Sequence, residues 1–185
     1  MVDVQRDFLP GGALGVKDGD AVVPVLNRYI TRFVAHGLPV VFTRDWHPPE
    51  HCSFHAQGGP WPPHCVAGTT GAAFAPGLML PAHAEIVSKA ATAIADAYSG
   101  FDHTGLAERL RARGVRRVFI GGLATDYCVQ STTRDGLAAG FSVFVLDDAI
   151  RAVEVQPGDG ARAVAAMLAA GARLIVSDEL EDAPA

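Results

Sequence analysis

The sequence is poor in three features that would point to other classes of protein. Its three cysteines, Cys52, Cys65 and Cys128, form neither a CxxC pair nor an even set, so a disulfide framework or a thiolate zinc site is not expected. Lysine and arginine form no run and the net charge is −5, which argues against nucleic-acid binding, since phosphates require a concentrated basic surface. No stretch reaches the ~18 uninterrupted apolar residues of a membrane-spanning helix. Small molecules are therefore the expected partners.

The remaining composition is that of an ordinary globular protein. Apolar residues make up 49 % of the 185 positions, which is enough to bury a core in one domain, so we expect residues 1–185 to form a single domain. Asp3, Arg6 and Asp7 place charges where a signal peptide would need an apolar segment, and a cytoplasmic location is expected. The sequence leaves the oligomeric state open, and a homo-oligomer is compatible with it.

Short apolar runs rich in β-branched residues alternate with segments of helical periodicity, which is typical of a parallel sheet covered on both faces. This pattern predicts an α/β fold of three layers, α/β/α, with a mostly parallel central sheet of about six strands. The predicted strands lie near Leu38–Thr43, Glu85–Ser88, Val115–Ile120, Ser142–Leu146 and Arg173–Val176, with a short one at Val2–Val4. The predicted helices are Asp20–His36, Thr104–Arg113, Asp126–Ala139 and Pro157–Ala170, each followed by glycine.

One segment, residues 45–81, does not fit this alternation. It contains seven of the twelve prolines, both tryptophans and four histidines, so it is neither a regular helix nor a central strand. A loop of this length in a compact domain is usually functional or disordered, and its aromatic and histidine content argues against disorder. We therefore expect a functional loop here.

Reactive side chains follow several of the predicted strands. Asp3 ends the first strand, Asp45 and His47 follow the second, Lys89 follows the third, and Cys128 comes shortly after the fourth. The carboxyl ends of parallel strands meet at one edge of a sheet, where ligands of open α/β sheets bind. The sequence therefore predicts one site that contains all five side chains.

Cys128 lies in a strand-to-helix turn that should place its thiol in the first turn of a helix. A helix N-terminus and a nearby lysine both favour the nucleophilic thiolate, and amides of the same turn could hold an oxyanion. Asp3 could take the thiol proton and deliver it to a leaving amine, while Lys89 stabilises the anions. The alternatives are that Cys128 is a small buried cysteine and that Asp3 and Lys89 form an ordinary ion pair. The convergence of these three side chains favours catalysis.

Asp45 and His47, with His64 further along the loop, supply one carboxylate and two imidazoles. Such a set suits Zn, Fe or Mn and leaves coordination positions for water or substrate. An Asp-x-His pattern alone is a weak signal, and solvated histidines are the alternative; four histidines within the loop favour a metal site. Phe8 and Trp61 could clamp a flat ring by stacking or could simply pack the loop.

Five segments, taken in chain order, resemble successive motifs of the nicotinamidases, which belong to the isochorismatase-like cysteine hydrolases. They are Val2-Asp3-Val4-Gln5-x-Asp7-Phe8, Thr43-Arg44-Asp45-Trp46-His47-Pro48, Trp61-Pro62-Pro63-His64-Cys65-Val66, Asp96-Ala97-Tyr98-Ser99-Gly100-Phe101 and Gly122-Leu123-Ala124-Thr125-Asp126-Tyr127-Cys128-Val129. The resemblance spans nearly the whole chain, and the combination is far more specific than any single motif.

The resemblance implies a role for each matching residue. The catalytic triad would be Asp3, Lys89 and Cys128; the metal ligands Asp45, His47 and His64, with His51 as a further candidate directly or through water; the substrate-binding aromatics Phe8, Trp61 and Tyr98; and the oxyanion hole the backbone amides of Ala124 and Cys128. It also implies a cis peptide bond just before Thr125.

The activity implied by the resemblance is hydrolysis of nicotinamide to nicotinate and ammonia through a cysteine thioester, with pyrazinamide as a further substrate. One divalent ion, Zn, Fe or Mn, would bind the pyridine nitrogen and turn the carboxamide towards Cys128. The reaction would serve NAD salvage. Two alternatives remain at this stage: an amidase on the same scaffold for a ureido or N-carbamoyl substrate, and a metal- or nicotinamide-binding protein without catalysis.

Overall fold

The computed structural model of the chain describes residues 1–177. Its strands are β1 (Val41–Asp45), β2 (Glu85–Lys89), β3 (Arg117–Leu123), β4 (Ser142–Arg151) and β5 (Arg173–Ile175). Its helices are α1 (Val22–Ala35), α2 (Leu106–Ala112), α3 (Gln130–Ala138) and α4 (Asp159–Ala169). A π-helical turn, Thr125–Val129, precedes α3, and short 3-10 turns occur at Arg6–Phe8, Gly19–Ala21 and His55–Gln57.

The strands form two parallel groups, β1–β2 and β3–β4–β5, and the first three residues join them. The carbonyl of Met1 accepts a hydrogen bond from the amide of Thr43, and the amide of Asp3 donates to the carbonyl of Thr43. On the other side, Val2 pairs in parallel with Gly122. The result is a parallel sheet in the order β2–β1–residues 1–3–β3–β4–β5, which confirms the predicted α/β fold of about six strands.

Helices cover both faces of this sheet. Consecutive residues of β4 point to opposite faces, so Val145 and Leu146 belong to different core clusters. On the Leu146 side the sheet packs against Leu26 and Ile30 of α1. On the Val145 side it packs against α2 and α4. The three predicted layers are therefore present. Among residues 1–177, no helix has the length and apolar character needed to cross a bilayer.

Several element boundaries differ from the predicted ones, and three of the differences have a visible physical reason. β1 begins three residues later than predicted because the amide of Leu38 donates to Phe33 at the end of α1 and Pro39 has no amide to offer a neighbouring strand. β4 runs on to Arg151, since it continues past a register shift to pair with the end of β3. The predicted helix Asp126–Ala139 is divided into the π-helical turn and α3.

The loop at residues 45–81 is folded against the sheet edge. Its turns are held by isolated bridges between Gln5 and Phe74, His47 and Val66, and Phe54 and Trp61. Phe54 and Cys65 within it are completely buried. The loop is therefore a folded segment that lies beside the carboxyl ends of the strands.

Gly122 is needed where the first residues enter the sheet. Its φ is +129°, and a Cβ atom there would lie 2.0 Å from the carbonyl oxygen of Val2. We expect Gly122→Ala to lower the free energy of unfolding by more than ~2 kcal/mol, because backbone atoms must separate. Gly121→Ala is the matched control: its Cβ would meet side-chain ends of Leu26 and Leu146 at 3.0 and 3.2 Å, which can shift, and the carbonyl oxygen of Ala149 at 3.3 Å, far less close than the 2.0 Å contact at Gly122. Urea unfolding of both variants checks this, and equal losses would contradict it.

Candidate active site and metal centre

Four reactive side chains meet at the carboxyl end of the sheet. Asp3 ends the first segment, Asp45 and Lys89 are paired neighbours at the ends of β1 and β2, and Cys128 lies in the π-helical turn that follows β3. Each is at most 5 % exposed. We call Asp3, Lys89 and Cys128 the thiol cluster. The structure brings together the residues that the strand-end argument selected.

The ammonium of Lys89 is the centre of this arrangement. It donates hydrogen bonds to Asp45 Oδ1 at 2.5 Å, to the carbonyl of Ala97 at 3.0 Å and to Cys128 Sγ at 3.5 Å. Asp3 Oδ2 lies 2.9 Å from the same nitrogen and forms an ion pair with it. An ammonium has three N–H groups, so these four acceptors share three donors, and the carboxylate oxygen of Asp3 keeps accepting capacity for a further proton.

Charge and burial oppose each other within the thiol cluster. Burial alone disfavours the ammonium of Lys89, but the carboxylates of Asp3 and Asp45 outweigh it and hold the pKa of Lys89 well above its usual value. Burial raises the pKa of Asp3, while Lys89 lowers it in part. The other oxygen of Asp3, Oδ1, accepts a 2.6 Å hydrogen bond from the hydroxyl of Thr43, which fixes the carboxylate plane.

Burial and the nearby carboxylates favour the protonated form of the Cys128 thiol. Burial raises its pKa well above the usual value, Lys89 lowers it, and the negative charge of Asp3 raises it further. Burial therefore has the larger effect on the pKa of Cys128. The predicted stabilisation of thiolate by a helix terminus and Lys89 is the smaller, opposing effect. A thiol of this kind needs a base, and atoms of Asp3 and Cys128 belong to a group whose ligand atoms lie within 4.8 Å of one another.

The turn before Cys128 exposes backbone amides in the manner of an oxyanion site. The carbonyl of Ala124 accepts hydrogen bonds from the amides of Tyr127 and Val129, both at 3.1 Å, and so bypasses the amide of Cys128. Such π-helical turns are frequent at functional sites. The cis peptide bond lies between Leu123 and Ala124, one residue earlier than the resemblance implies.

Asp45, His47 and His64 form a second group, which we call the histidine group. All three are buried, and their ligand atoms lie within 4.8 Å of one another. Nδ1 of His47 contacts the carbonyl of Ala90 at 3.1 Å, and Nδ1 of His64 contacts the carbonyl of Pro62 at 2.8 Å. These carbonyls require an N–H on Nδ1, so each Nε2 presents a lone pair.

The electrostatics of the histidine group suit a divalent metal. Burial lowers the pKa of His47 to about 4 and also lowers the pKa of His64, so both rings are neutral at physiological pH, the form that binds metals. Asp45 is shared: its Oδ1 accepts from Lys89, and its Oδ2 lies 3.8 Å from Nε2 of His47. Two imidazoles and a carboxylate fit Zn, Fe or Mn.

His51 stands beside the histidine group and outside it. Its ring stacks on His47 with centroids 4.2 Å apart. Nδ1 contacts the hydroxyl of Ser53 at 2.7 Å, and Nε2 contacts the carbonyl of Ala95 at 3.1 Å. With both nitrogens engaged by protein groups, this geometry supports a packing role, and direct ligation by His51 stays a prediction.

Aromatic rings flank both groups. Phe8 packs against His64 with ring centroids 5.7 Å apart. Trp61 donates from Nε1 to the hydroxyl of Tyr98 at 3.0 Å and packs edge-on against Tyr127 at 5.3 Å. Sequence reasoning assigned no role to Tyr127, although its position directly before Cys128 was the available signal. In the structure, the ring of Tyr127 packs against both Trp61 and Tyr98.

Two further polar residues support the site and were not assigned roles from the sequence. Gln5 is fully buried; its amide donates to the carbonyl of Asp45 and accepts from the amide of Asp45, both at 2.8 Å. Asp7 accepts a 2.7 Å hydrogen bond from the amide of Cys65, directly after His64. These contacts fix the backbone on either side of the histidine group.

Comparison with known proteins agrees with this geometry. The isochorismatase domain model matches residues 1–179. The nicotinamidase of Escherichia coli (strain K12) is 38 % identical over 203 residues, covering 98 % of this chain and 95 % of the relative. The pyrazinamidase of Pyrococcus horikoshii, solved in complex with zinc, is 48 % identical with a TM-score of 0.91, covering 95 % of this chain and 96 % of that one. PnC1 from L. infantum, solved in complex with nicotinate, is 41 % identical with a TM-score of 0.85, covering 96 % and 91 %. Because this family model spans nearly its whole length, the chain belongs to the isochorismatase family.

Proposed function

We propose that this protein hydrolyses nicotinamide to nicotinate and ammonia through a thioester on Cys128, and that it also accepts pyrazinamide. The observation that carries the proposal is that Asp45 of the histidine group accepts a 2.5 Å hydrogen bond from Lys89 of the thiol cluster. A nucleophile for an amide and a binding place for a ring nitrogen thus adjoin each other. The names of the relatives, a nicotinamidase and a pyrazinamidase, and the nicotinate in the L. infantum structure support the same substrate.

Acylation begins with transfer of the thiol proton. Asp3 Oδ2 has accepting capacity left beside Lys89, so it takes the proton of Cys128 as the sulfur attacks the carboxamide carbon. The carbonyl oxygen gains the negative charge and is stabilised by the amides of Ala124 and Cys128. Collapse of this intermediate breaks the C–N bond, and Asp3 returns its proton to the nitrogen, which leaves as ammonia.

Deacylation uses the same groups in the opposite direction. The Asp3 carboxylate takes a proton from water as the oxygen attacks the thioester carbon. The C–S bond breaks, the proton on Asp3 returns to the sulfur of Cys128, and the product leaves as nicotinic acid, which loses its carboxyl proton to solvent and becomes nicotinate. Lys89 keeps its positive charge throughout. This charge balances the negative charge, which moves between the sulfur, the carboxylate and the substrate oxygen.

The histidine group would hold one divalent ion, Zn, Fe or Mn. When bound, this ion supplies a Lewis acid for the pyridine nitrogen and so orients the ring with its carboxamide towards the thiol. Phe8 beside His64 and Trp61 beside Tyr98 present ring faces and edges for a flat heteroaromatic substrate. This recognition implies a role in NAD salvage in the cytoplasm.

The experiment that tests the proposal compares two substrates that differ in one ring atom. Benzamide carries the same carboxamide as nicotinamide but lacks the ring nitrogen. We expect ammonia release from nicotinamide with a kcat/KM at least ~100-fold above that for benzamide, because a site built for a polar atom rejects the analogue without it. Chelation should remove this preference and added Zn²⁺, Fe²⁺ or Mn²⁺ should restore it.

Two outcomes would contradict the proposal. Ammonia release from an N-carbamoyl or ureido compound but not from nicotinamide would identify a different amidase. Binding of nicotinamide and metal without any ammonia release would identify a binding protein.

A further inference from the structure

The position of the Lys89 ammonium is also that of a coordinated cation. Within 3.5 Å of Nζ lie two carboxylate oxygens, from Asp3 and Asp45, the carbonyl oxygen of Ala97 and the sulfur of Cys128. The side chain of Lys89 is 0 % exposed, so bulk solvent does not reach the ammonium. An ammonium offers three N–H groups, and these four acceptors share them.

The same atoms would suit a divalent metal if the ammonium were absent. Ligand atoms of Asp3, Asp45 and Cys128 lie within 4.8 Å of one another, and all three residues are buried. Two carboxylates and a thiolate carry enough negative charge to bind Zn²⁺ or Co²⁺, and coordination deprotonates a thiol outright. The Lys89 ammonium, which lies 2.9 Å from Asp3 Oδ2 and 2.5 Å from Asp45 Oδ1, shows independently of the cluster itself that this set of atoms holds a cation.

A metal in this place would disable the nucleophile. The histidine group adjoins the thiol cluster through Asp45, whose Oδ2 faces His47 and whose Oδ1 faces Lys89. The carboxylate of Asp45 would therefore lie between a divalent ion in the histidine group and the thiol cluster that contains Cys128. Thiolate is a preferred ligand of zinc. A sulfur bound to a metal has its lone pairs engaged and attacks a carboxamide less readily.

We infer that Lys89, besides balancing charge in the reaction, is a built-in cation that prevents a second divalent metal from binding to Asp3, Asp45 and Cys128. The inference rests on the proposed assignment of the first metal to the histidine group. The ammonium fills the space between the three ligands and carries the charge that they require. It is covalently attached, so no metal concentration displaces it. The thiol thus stays available next to a metal centre.

Cobalt binding tests the inference without any substrate. Protein freed of metal by chelation is titrated with Co²⁺, and stoichiometry is measured by equilibrium dialysis together with the thiolate-to-cobalt charge-transfer absorption. Wild type should bind one equivalent and show no such absorption. Lys89→Ala should bind a second equivalent and show it. The matched double variant with Lys89→Ala and Cys128→Ser should lose both the second equivalent and the absorption.

Several outcomes would overturn the inference. Folded Lys89→Ala that binds one equivalent without thiolate absorption would show that the ligands do not form a site. Absorption that persists in the double variant would assign it to Cys52 or Cys65. If Lys89→Ala does not fold, wild type still decides, since thiolate absorption in excess Co²⁺ would show that Lys89 does not exclude the metal. Because nicotinamide is absent, a failure here is distinct from a failure of the proposed activity.

Discussion

Cys128→Ala should lower kcat for nicotinamide by ~10⁵-fold or more, the scale of loss when the nucleophile of a covalent mechanism is removed. The thiol is 5 % exposed and lies 3.5 Å from Lys89, whereas Cys52 Sγ lies 4.0 Å from Nε2 of His51, outside the thiol cluster. Alanine leaves the histidine group and the flanking rings in place. Nicotinamide should therefore still bind to metal-loaded Cys128→Ala, as measured by calorimetry.

Cys52→Ala is the matched control for the thiol. Cys52 is only half-buried and lies outside both the thiol cluster and the histidine group, so this variant should keep its activity. Acid-quenched wild type should carry a nicotinoyl adduct on the peptide that contains Cys128, detected by mass spectrometry. Turnover that survives in Cys128→Ala, or an adduct on another cysteine, would rule out the assignment of the nucleophile.

The convergence of the catalytic side chains could be predicted because it follows from topology alone. In a parallel sheet, residues at the carboxyl ends of neighbouring strands must meet, so Asp3, Asp45 and Lys89 come together wherever the strand order allows. In the register of β1 and β2, Asp45 and Lys89 are direct partners. What topology did not supply was the central place of the Lys89 ammonium, which depends on side-chain reach and on the carbonyl of Ala97.

The support around the site could not be derived from the sequence, because long-range backbone contacts determine it. Gln5 binds the backbone of Asp45 forty residues away, and Asp7 binds the amide of Cys65 across 58 residues. Neither local propensity nor periodicity encodes such pairs. The division of the helix after β3 was hidden for a similar reason: Val129 bonds to Ala124, and this spacing leaves no signature in residue type.

Ala90 has a backbone conformation that its residue type does not predict. Its φ is +49°, in the left-handed region where glycine is favoured. Its carbonyl contacts Nδ1 of His47 at 3.1 Å. This turn is therefore formed at a conformational cost, and it places a backbone carbonyl against the histidine group.

Asp3→Asn should lower kcat by ~10⁴-fold while making the thiol more reactive, and these opposite changes distinguish a base from a structural residue. Asparagine has nearly the same shape but cannot take the proton of Cys128, so turnover falls. The charge of Asp3 raises the pKa of Cys128, whereas Lys89 lowers it. Removing the charge therefore shifts the titration of the thiol to lower pH, and alkylation by iodoacetamide at neutral pH should become faster than in wild type.

Two controls make the result specific to Asp3. Cys65 is 0 % exposed and must stay unalkylated, which shows that the faster reaction does not arise from unfolding. Thr43→Val removes the 2.6 Å hydrogen bond to Asp3 Oδ1 but leaves the carboxylate. Its kcat should therefore fall by only ~10-fold, a factor that corresponds to the free energy of one hydrogen bond to a charged group. If Asp3→Asn slows turnover and alkylation together, the carboxylate acts by holding Lys89 or Cys128 in place, and the proton must be taken by another group.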